Sequence, residues 1–181
     1  MDKKIYPYWR QELKAYQKKE EKIISNRWIQ IATVNNNNEP RLRTVVFRGW
    51  LKDNSMLIYT DNRTEKVKDI KNNNKVEVLW LFTKSKSQFR FKGEANIVHD
   101  DIKYWEALNY KSRSTWFWPN PGYEFNNQDY FKDFDREEKP VNFLVFEIII
   151  HKVELLKLEK PLHKRYIWEE SNNWIKKRIN P

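Results

Sequence analysis

The sequence contains no cysteine and only three glycines among its 181 residues. Without cysteine, neither disulfides nor a thiolate metal site can hold the fold, and a reducing compartment such as the cytoplasm is the expected location. Three glycines are too few for a glycine-rich phosphate loop. No stretch approaches the roughly 18 apolar residues of a membrane span, and the N-terminus lacks the apolar core of a signal peptide. The three histidines stand too far apart in sequence to predict a metal site.

Positive charge and aromatic rings are abundant. Lysine and arginine total 35 against 25 aspartate and glutamate, a net charge of +10. Such an excess favours an anionic partner, which could be a nucleic acid, a phosphate or an acidic surface. Aromatic residues make up 15% of the chain and include nine tryptophans, enough to build a core or to stack on a flat heterocycle. The length suits one domain over residues 1–181, because neither a repeat nor a linker interrupts it.

The periodicity of apolar residues predicts a mainly β protein with peripheral helices. Helical spacing predicts helices over 6–24, from Asp61 or Asn62 to the turn at Asn72, and over 101–110, and Asn62 with Glu65 resembles a capping box. Strand-like runs are found at 29–34, 42–47, 56–60, 75–82, 88–98, 141–150, 152–158 and 165–168. A barrel would remove the edges of such a sheet. Residues 119–140 have no clear period, and loops of this length tend to be lids, interface arms or disordered segments.

The stretch from Arg41 to Lys66 carries the residue types of a phosphate site. Arg41 and Arg43 share one face of a strand because side chains alternate with a period of two. A helix start beyond Asp61 offers free backbone amides, the hydroxyl of Thr64 and the ammonium of Lys66. In the alternative interpretation, the arginines are solvated strand residues and Thr64 merely begins a helix. The residue types by themselves leave both possibilities open.

Three segments resemble the pyridoxamine 5′-phosphate oxidase family in order and spacing. They are Arg41-Leu-Arg-Thr-Val-Val-Phe-Arg-Gly49, Tyr59-Thr-Asp-Asn-Arg-Thr-Glu-Lys66 and Gln88-Phe-Arg-Phe-Lys-Gly93. The likeness is stronger to an FMN-binding, oxidase-like branch and covers about residues 5–181. It implies an FMN-binding split β-barrel that forms a homodimer, with two FMN molecules in clefts shared by both subunits. It also implies a small-molecule substrate or electron donor.

The resemblance carries over to individual residues unevenly. It implies cofactor contacts by Arg43, Thr44, Val45, Arg48, Tyr59, Thr60, Arg63, Thr64, Lys66, Gln88 and Arg165. It implies substrate contacts by Arg48, Arg113 and His163, and His163 is the candidate catalytic residue.

Departures from the oxidase pattern concern activity more than cofactor binding. Glu65 occupies a position where the oxidases carry an arginine at the phosphate, and Arg63 is the expected substitute that covers its charge. Pro161 stands where the oxidases place an arginine against the pyridoxal ring, and Leu155 where a tryptophan flanks the flavin. Oxidation of pyridoxamine 5′-phosphate is therefore expected to be poor.

Three functions from different classes are compatible with the sequence. The first is an FMN-dependent oxidoreductase that uses oxygen or a nicotinamide as partner. The second is an FMN-binding carrier or sensor without turnover, which Pro161 and Leu155 favour. The third is a nucleic-acid-binding module, suggested by the charge and the rings. Because basic and acidic residues are interspersed and no module signature is present, nucleic acid is not the expected partner.

Overall fold

The computed structural model describes residues 7–52, 54–125 and 138–181. Eight strands form one antiparallel sheet: β1 (Trp28–Val34), β2 (Pro40–Lys52), β3 (Ser55–Asp61), β4 (Lys75–Phe82), β5 (Ser87–Ile97), β6 (Phe143–Lys157), β7 (Lys164–Glu169) and β8 (Lys177–Ile179). Their order is β3-β2-β1-β4-β5-β6-β7-β8, and an additional pairing of β3 with β6 closes the first six strands into a barrel. The prediction of a mainly β barrel is confirmed.

The alternation of apolar and polar residues determines which strand faces point into the barrel. In β1, for example, Ile29 and Ile31 are fully buried, whereas Trp28 on the opposite face is exposed. The core is rich in aromatic rings, and Trp80 stacks on Phe82 with ring centroids 5.7 Å apart. From the sequence, the tryptophans could pack in the core or stack on a flat ligand. Most of them pack in the core.

Four helices lie around the barrel: α1 (Tyr8–Lys19), α2 (Glu65–Asn72), α3 (Ile102–Glu106) and α4 (Tyr110–Ser114). Helix α1 is shorter than the predicted 6–24, and it buries Trp9 and Leu13 against the barrel. The capping box predicted for α2 is wrong, because the N-cap residue is Thr64. The predicted helix over 101–110 is α-helical only in α3; helix α4, which the Asn109 side chain caps, starts where the prediction ends and was not predicted.

One long, bent strand replaces two predicted strands near the C-terminus. Strand β6 pairs with β5 from Phe146 to Lys157, with a register shift opposite Lys92 and Gly93. A Cβ atom on Gly93 would lie 2.0 Å from the carbonyl oxygen of Ile149, so glycine allows the close approach at this bend. The first half of β6 pairs with β3 and the second half with β7. The short strand β8 was not predicted.

The segment 119–140 was expected to be a long irregular loop. Its residues 126–137 lie outside the described residues. Within 7–52, 54–125 and 138–181, none of the helices has the length and apolar character needed to cross a membrane.

Candidate functional site

A half-buried lysine, Lys66, lies at the start of α2, where the sequence suggested a phosphate site. The Lys66 Nζ atom donates hydrogen bonds to the hydroxyl oxygens of Thr60 at 2.8 Å and Thr64 at 3.0 Å. We call Thr60, Thr64 and Lys66 the phosphate cluster. In the described part of the chain, no carboxylate lies within ion-pair distance of this ammonium group. Burial, followed by the positive charge of Arg43, lowers the pKa of Lys66 to about 8.

The two arginines of strand β2 are held by acidic residues of α2. The guanidinium of Arg43 donates to the Thr33 hydroxyl at 2.5 Å and to Asp69 at 3.2 Å. Arg41 pairs with Glu65 at 3.0 Å and lies 3.6 Å from Asp69. Both side chains therefore lie on the strand face that the period of two predicts. The charge of Arg43 is already balanced in the chain, whereas the charge of Lys66 is not.

Arg63 does not cover the charge of Glu65, and this expectation is wrong. Its guanidinium pairs with Asp61 at 2.7 Å and also donates to the carbonyl of Trp118 and the side chain of Asn120. Burial alone would raise the pKa of Asp61, but the hydrogen bonds from Arg63 outweigh burial and lower it. Arg63 pairs with Asp61 because Asp61 is two residues away in the same turn, so that forming the pair costs little conformational entropy of the chain.

A second group of polar side chains lies where β2, β3 and α3 meet. Arg48 follows Phe47 at a bulge, and its guanidinium carbon is 5.2 Å from the ring centroid of Tyr59. The ring of Tyr104 is 5.9 Å from that of Tyr59. We call Arg48, Tyr59 and Tyr104 the arginine–tyrosine cluster.

Two buried atoms of this cluster lack hydrogen-bond partners within the described residues: the Arg48 Nε atom and the Tyr104 hydroxyl. Arg27, whose Nε donates to the carbonyl of Phe47 at 3.2 Å, adds a second positive charge beside them. Burial, followed by the charge of Arg27, lowers the pKa of Arg48 below its ordinary value. Burial also raises the pKa of the Tyr59 phenol. An acceptor-rich, negatively charged group would satisfy these donors.

Two other predicted cofactor residues of β2 lie on opposite faces. The side chain of Thr44 is exposed, while that of Val45 is buried in the core. Val45 can therefore face a ligand only through its backbone.

Gln88 and Arg165 lie in a separate groove on β5, β6 and β7. The groove encloses about 210 Å³ and is lined by Gln88, Arg90, Glu154, Leu156 and Arg165. Leu155, which the resemblance aligns with a flavin-flanking tryptophan of the oxidases, is fully buried in the core and does not line the groove. Leu156 faces the groove instead, since neighbouring strand residues point to opposite faces.

The predicted substrate residues are not gathered at one place. His163 is exposed, and its Nδ1 atom lies 3.2 Å from the carbonyl oxygen of Glu159. Arg113 donates to the carbonyl oxygen of Glu106 at 2.9 Å and lies over the ring of Trp105.

Within one chain, the phosphate cluster and the groove lie at opposite ends of β6. Thr60 of the phosphate cluster is paired with Leu144, whereas Gln88 and Arg165 are both paired with Leu156, twelve residues farther along the same strand. Twelve residues of extended strand span up to about 40 Å, and a right-angle bend at the bulge would still leave about 28 Å. This distance exceeds the length of one FMN molecule.

The sequence did not single out Tyr104, Asp69 or Glu154 as site residues. A weak signal was available for two of them. Asp69 stands between the apolar residues Val67 and Ile70 of a helix, and Glu154 interrupts an apolar strand. Acidic residues at core-facing or half-buried positions are usually paired. Tyr104 gave no such signal, because tyrosine is common at helix surfaces and in cores alike.

Comparison with known proteins identifies relatives of the whole barrel. Residues 6–99 match the family described as pyridoxamine 5′-phosphate oxidase, FMN-binding domain. Pyridoxine/pyridoxamine 5′-phosphate oxidase 2 from Arabidopsis thaliana is 28% identical over 131 residues, with 66% of each chain covered, so the match spans just under two thirds of that relative's length. Pyridoxine/pyridoxamine 5′-phosphate oxidase from Pelagibacter ubique is 23% identical over 98% of this chain and 90% of that protein.

Solved structures show the same architecture. A pyridoxamine 5′-phosphate oxidase-related, FMN binding protein from Nostoc punctiforme superposes with a TM-score of 0.89 at 27% identity, covering 99% of this chain and all of the other. PhzG from Burkholderia lata, in complex with tetrahydrophenazine-1-carboxylic acid, has a TM-score of 0.84 at 14% identity, with 97% and 93% covered, and shows the fold alone. The chain belongs to the pyridoxamine 5′-phosphate oxidase FMN-binding domain family, and its cofactor is FMN.

Proposed function

We propose that the protein is an FMN-dependent oxidoreductase that works as a homodimer on a small substrate carrying an anionic group. The observation that supports this most directly is the half-buried ammonium of Lys66. It has two hydroxyl partners and, within the described residues, no carboxylate to balance it. Partial loss of hydration makes such a cation a favourable site for an anion.

The phosphate cluster fits the terminal phosphate of FMN in charge and in donor type. Lys66 would supply the cation and Thr64 a hydroxyl, and the first turn of α2 has backbone amides that intrahelical bonds do not use. Arg43 would add positive charge from the neighbouring strand while remaining paired with Asp69. Arg63 could reach an anion only by sharing itself with Asp61.

A homodimer would bring the two separated halves of the site to one cofactor. The outer barrel face exposes apolar side chains on β1, β2 and β4, with Trp28 51%, Leu42 69% and Leu81 52% exposed. Leu81 is paired with Gln88 at the groove, and Trp28 with Val46 near Arg48. Exposed apolar surface of this kind is typical of a protein interface. A second copy covering it in a two-fold arrangement would place its Gln88 and Arg165 near the first copy's Arg48.

When bound, FMN supplies hydride and electron transfer through its isoalloxazine ring. The chain's own residues would bind and orient the substrate. Arg48 and Tyr104 can donate hydrogen bonds to a carboxylate or phosphate, and Arg27 adds charge beside them. His163 is retained as the candidate proton-transfer residue, since it lies two residues before Arg165 in the segment leading into the groove.

Pyridoxamine 5′-phosphate itself is a poor match for the groove side of the site. Pro161 is exposed and offers neither charge nor donors, and Leu156 provides no aromatic ring. The alternative of an FMN carrier without turnover would leave the donors of the arginine–tyrosine cluster without a purpose. A nucleic-acid-binding role gains no support from the site or from the relatives.

Mixing two defective variants tests the shared site. Lys66→Met damages the phosphate cluster, and Arg165→Met damages the groove. In a mixed dimer, one site combines both defects and the other combines two intact halves. Co-expression should restore tight FMN binding to about a quarter of the chains if dimers form at random. No recovery beyond the two single variants would exclude a site shared between subunits.

A reduction assay tests the activity. FMN-loaded protein is mixed without oxygen with amines, alcohols and nicotinamides, and loss of the visible flavin absorbance is recorded. Each compound that carries a carboxylate or phosphate should reduce the flavin faster than the matched compound that lacks this group. Arg48→Met should remove that preference. If no donor reduces the flavin, the result would favour the alternative of an FMN carrier without turnover.

A further inference from the structure

Glu154 is a buried carboxylate that holds two arginines in the groove. Its side chain is 9% exposed and lies on β6 between Val153 and Leu155, which are fully buried on the opposite face. The same oxygen, Oε2, accepts hydrogen bonds from Arg90 at 2.5 Å and from Arg165 at 2.5 Å and 3.1 Å. The other oxygen, Oε1, lies 3.6 Å from Lys152. Three cations thus surround one carboxylate.

The electrostatics keep Glu154 charged. Burial alone would raise the pKa of its carboxyl group, but the hydrogen bonds from Arg165 and Arg90 outweigh burial and lower the pKa to about 2. Glu154 is therefore a fixed negative charge at any physiological pH and has no proton to exchange. Buried ion pairs contribute little net stability, because desolvation of the charges offsets their attraction. Stability alone does not explain why an apolar strand carries this residue.

The arrangement restricts the orientation of the arginines. Arg165 has a flexible side chain on β7, and a solvated guanidinium there would sample many rotamers. Two hydrogen bonds to one oxygen of a neighbouring strand remove most of that freedom before a ligand arrives. Preorganised contacts of this kind raise affinity by reducing the entropy lost on binding.

We propose that Glu154 is a positioning residue for cofactor binding, which fixes the Arg165 guanidinium beside Gln88 while Arg90 shares and balances its charge. This role rests on the proposed contact between Arg165 and FMN. Without the carboxylate, three like charges from Arg90, Arg165 and Lys152 would repel one another and Arg165 would turn away. Glu154 acts through Arg165 and does not itself touch the cofactor.

The test is a double-mutant cycle on FMN affinity, measured by fluorescence titration of folded dimers. The variants are Glu154→Gln, Arg165→Met and the combination of both. Glu154→Gln should weaken FMN binding about tenfold in the otherwise unchanged protein and less than about twofold in the Arg165→Met background. Glu154→Asp, which keeps the charge on a shorter side chain, should recover part of the loss. Glu77→Gln is the matched control, because Glu77 lies 3.8 Å from Arg90 and does not contact Arg165. It should leave the affinity unchanged.

Each contrary outcome has a distinct meaning. If Glu154→Gln binds FMN as tightly as the unchanged protein, Glu154 has no positioning role. If Glu154→Gln weakens FMN binding by the same factor with and without Arg165→Met, its effect is a general structural one and the proposal is overturned. If Arg165→Met itself leaves the affinity unchanged, the proposed contact between Arg165 and FMN fails, and the role of Glu154 fails with it. If Glu154→Gln does not fold, Glu154→Asp replaces it in the cycle, and a loss of FMN affinity by the same factor with and without Arg165→Met overturns the proposal.

Discussion

The affinity for FMN should depend on pH through Lys66. In the FMN-free protein, burial and the charge of Arg43 lower the pKa of this ammonium to about 8. A phosphate dianion beside it would favour the charged form and return the pKa toward its ordinary value. Binding therefore takes up a proton whenever the pH exceeds the pKa of the free protein. Above that pH, the affinity should fall.

The magnitude follows from the two pKa values. At pH 9, about nine tenths of the Lys66 side chains in the free protein are neutral, so the dissociation constant should rise about tenfold relative to pH 7. A tenfold change corresponds to about 1.4 kcal/mol. The phosphate of FMN does not contribute over this range, because a phosphate monoester has its second pKa at about 6.

Two substitutions make the assay specific. Lys66→Arg keeps a positive charge up to high pH, and its affinity should stay flat between pH 7 and pH 9. Lys66→Met removes the charge and should weaken binding at pH 7 by about 1.5–3 kcal/mol, the usual range for a hydrogen bond to a charged group. Fluorescence titrations at several pH values measure all three proteins. A flat profile for the unchanged protein, together with tight binding by Lys66→Met, would refute the assignment of Lys66 to the phosphate.

Three further predictions concern stability, assembly and substrate. Without FMN, Lys66→Met should melt at a higher temperature than the unchanged protein at pH 7, since it removes a partly desolvated charge. The difference in melting temperature should shrink as the pH rises from about 8 toward 10.5. A lower melting temperature of the variant at pH 7 would contradict this prediction. Light scattering at micromolar concentration should give twice the chain mass of 22.4 kDa, and a monomer that still holds FMN would exclude the dimer. Hydrogen peroxide release with pyridoxamine 5′-phosphate should stay far below about one turnover per second, the lower end of ordinary enzyme rates; turnover at that rate would show that another group replaces the arginine missing at Pro161.

The sequence by itself determined the barrel and its cofactor family. Residues that alternate with a period of two, such as Ile29 and Ile31, must face one side of a sheet, so the strands and their buried faces could be predicted locally. Turn residues and short apolar runs marked most strand ends. The motifs around Arg43, Lys66 and Gln88 lie in contiguous segments, and so their resemblance to a family could be recognised without tertiary information.

Only the tertiary structure decided which charges are paired. Glu154 meets Arg90 across 64 residues of sequence, and Arg43 meets Asp69 across 26. Local patterns contain no information on such distant partners, which is why the sequence did not show that Glu65 pairs with Arg41, 24 residues away. The bend of β6 likewise depends on a residue of another strand, because Gly93 of β5 leaves room for the carbonyl oxygen of Ile149. Lys66 differs from its neighbours for the same reason: every nearby carboxylate in the described chain is already held by an arginine, and this leaves one half-buried cation for an anionic ligand.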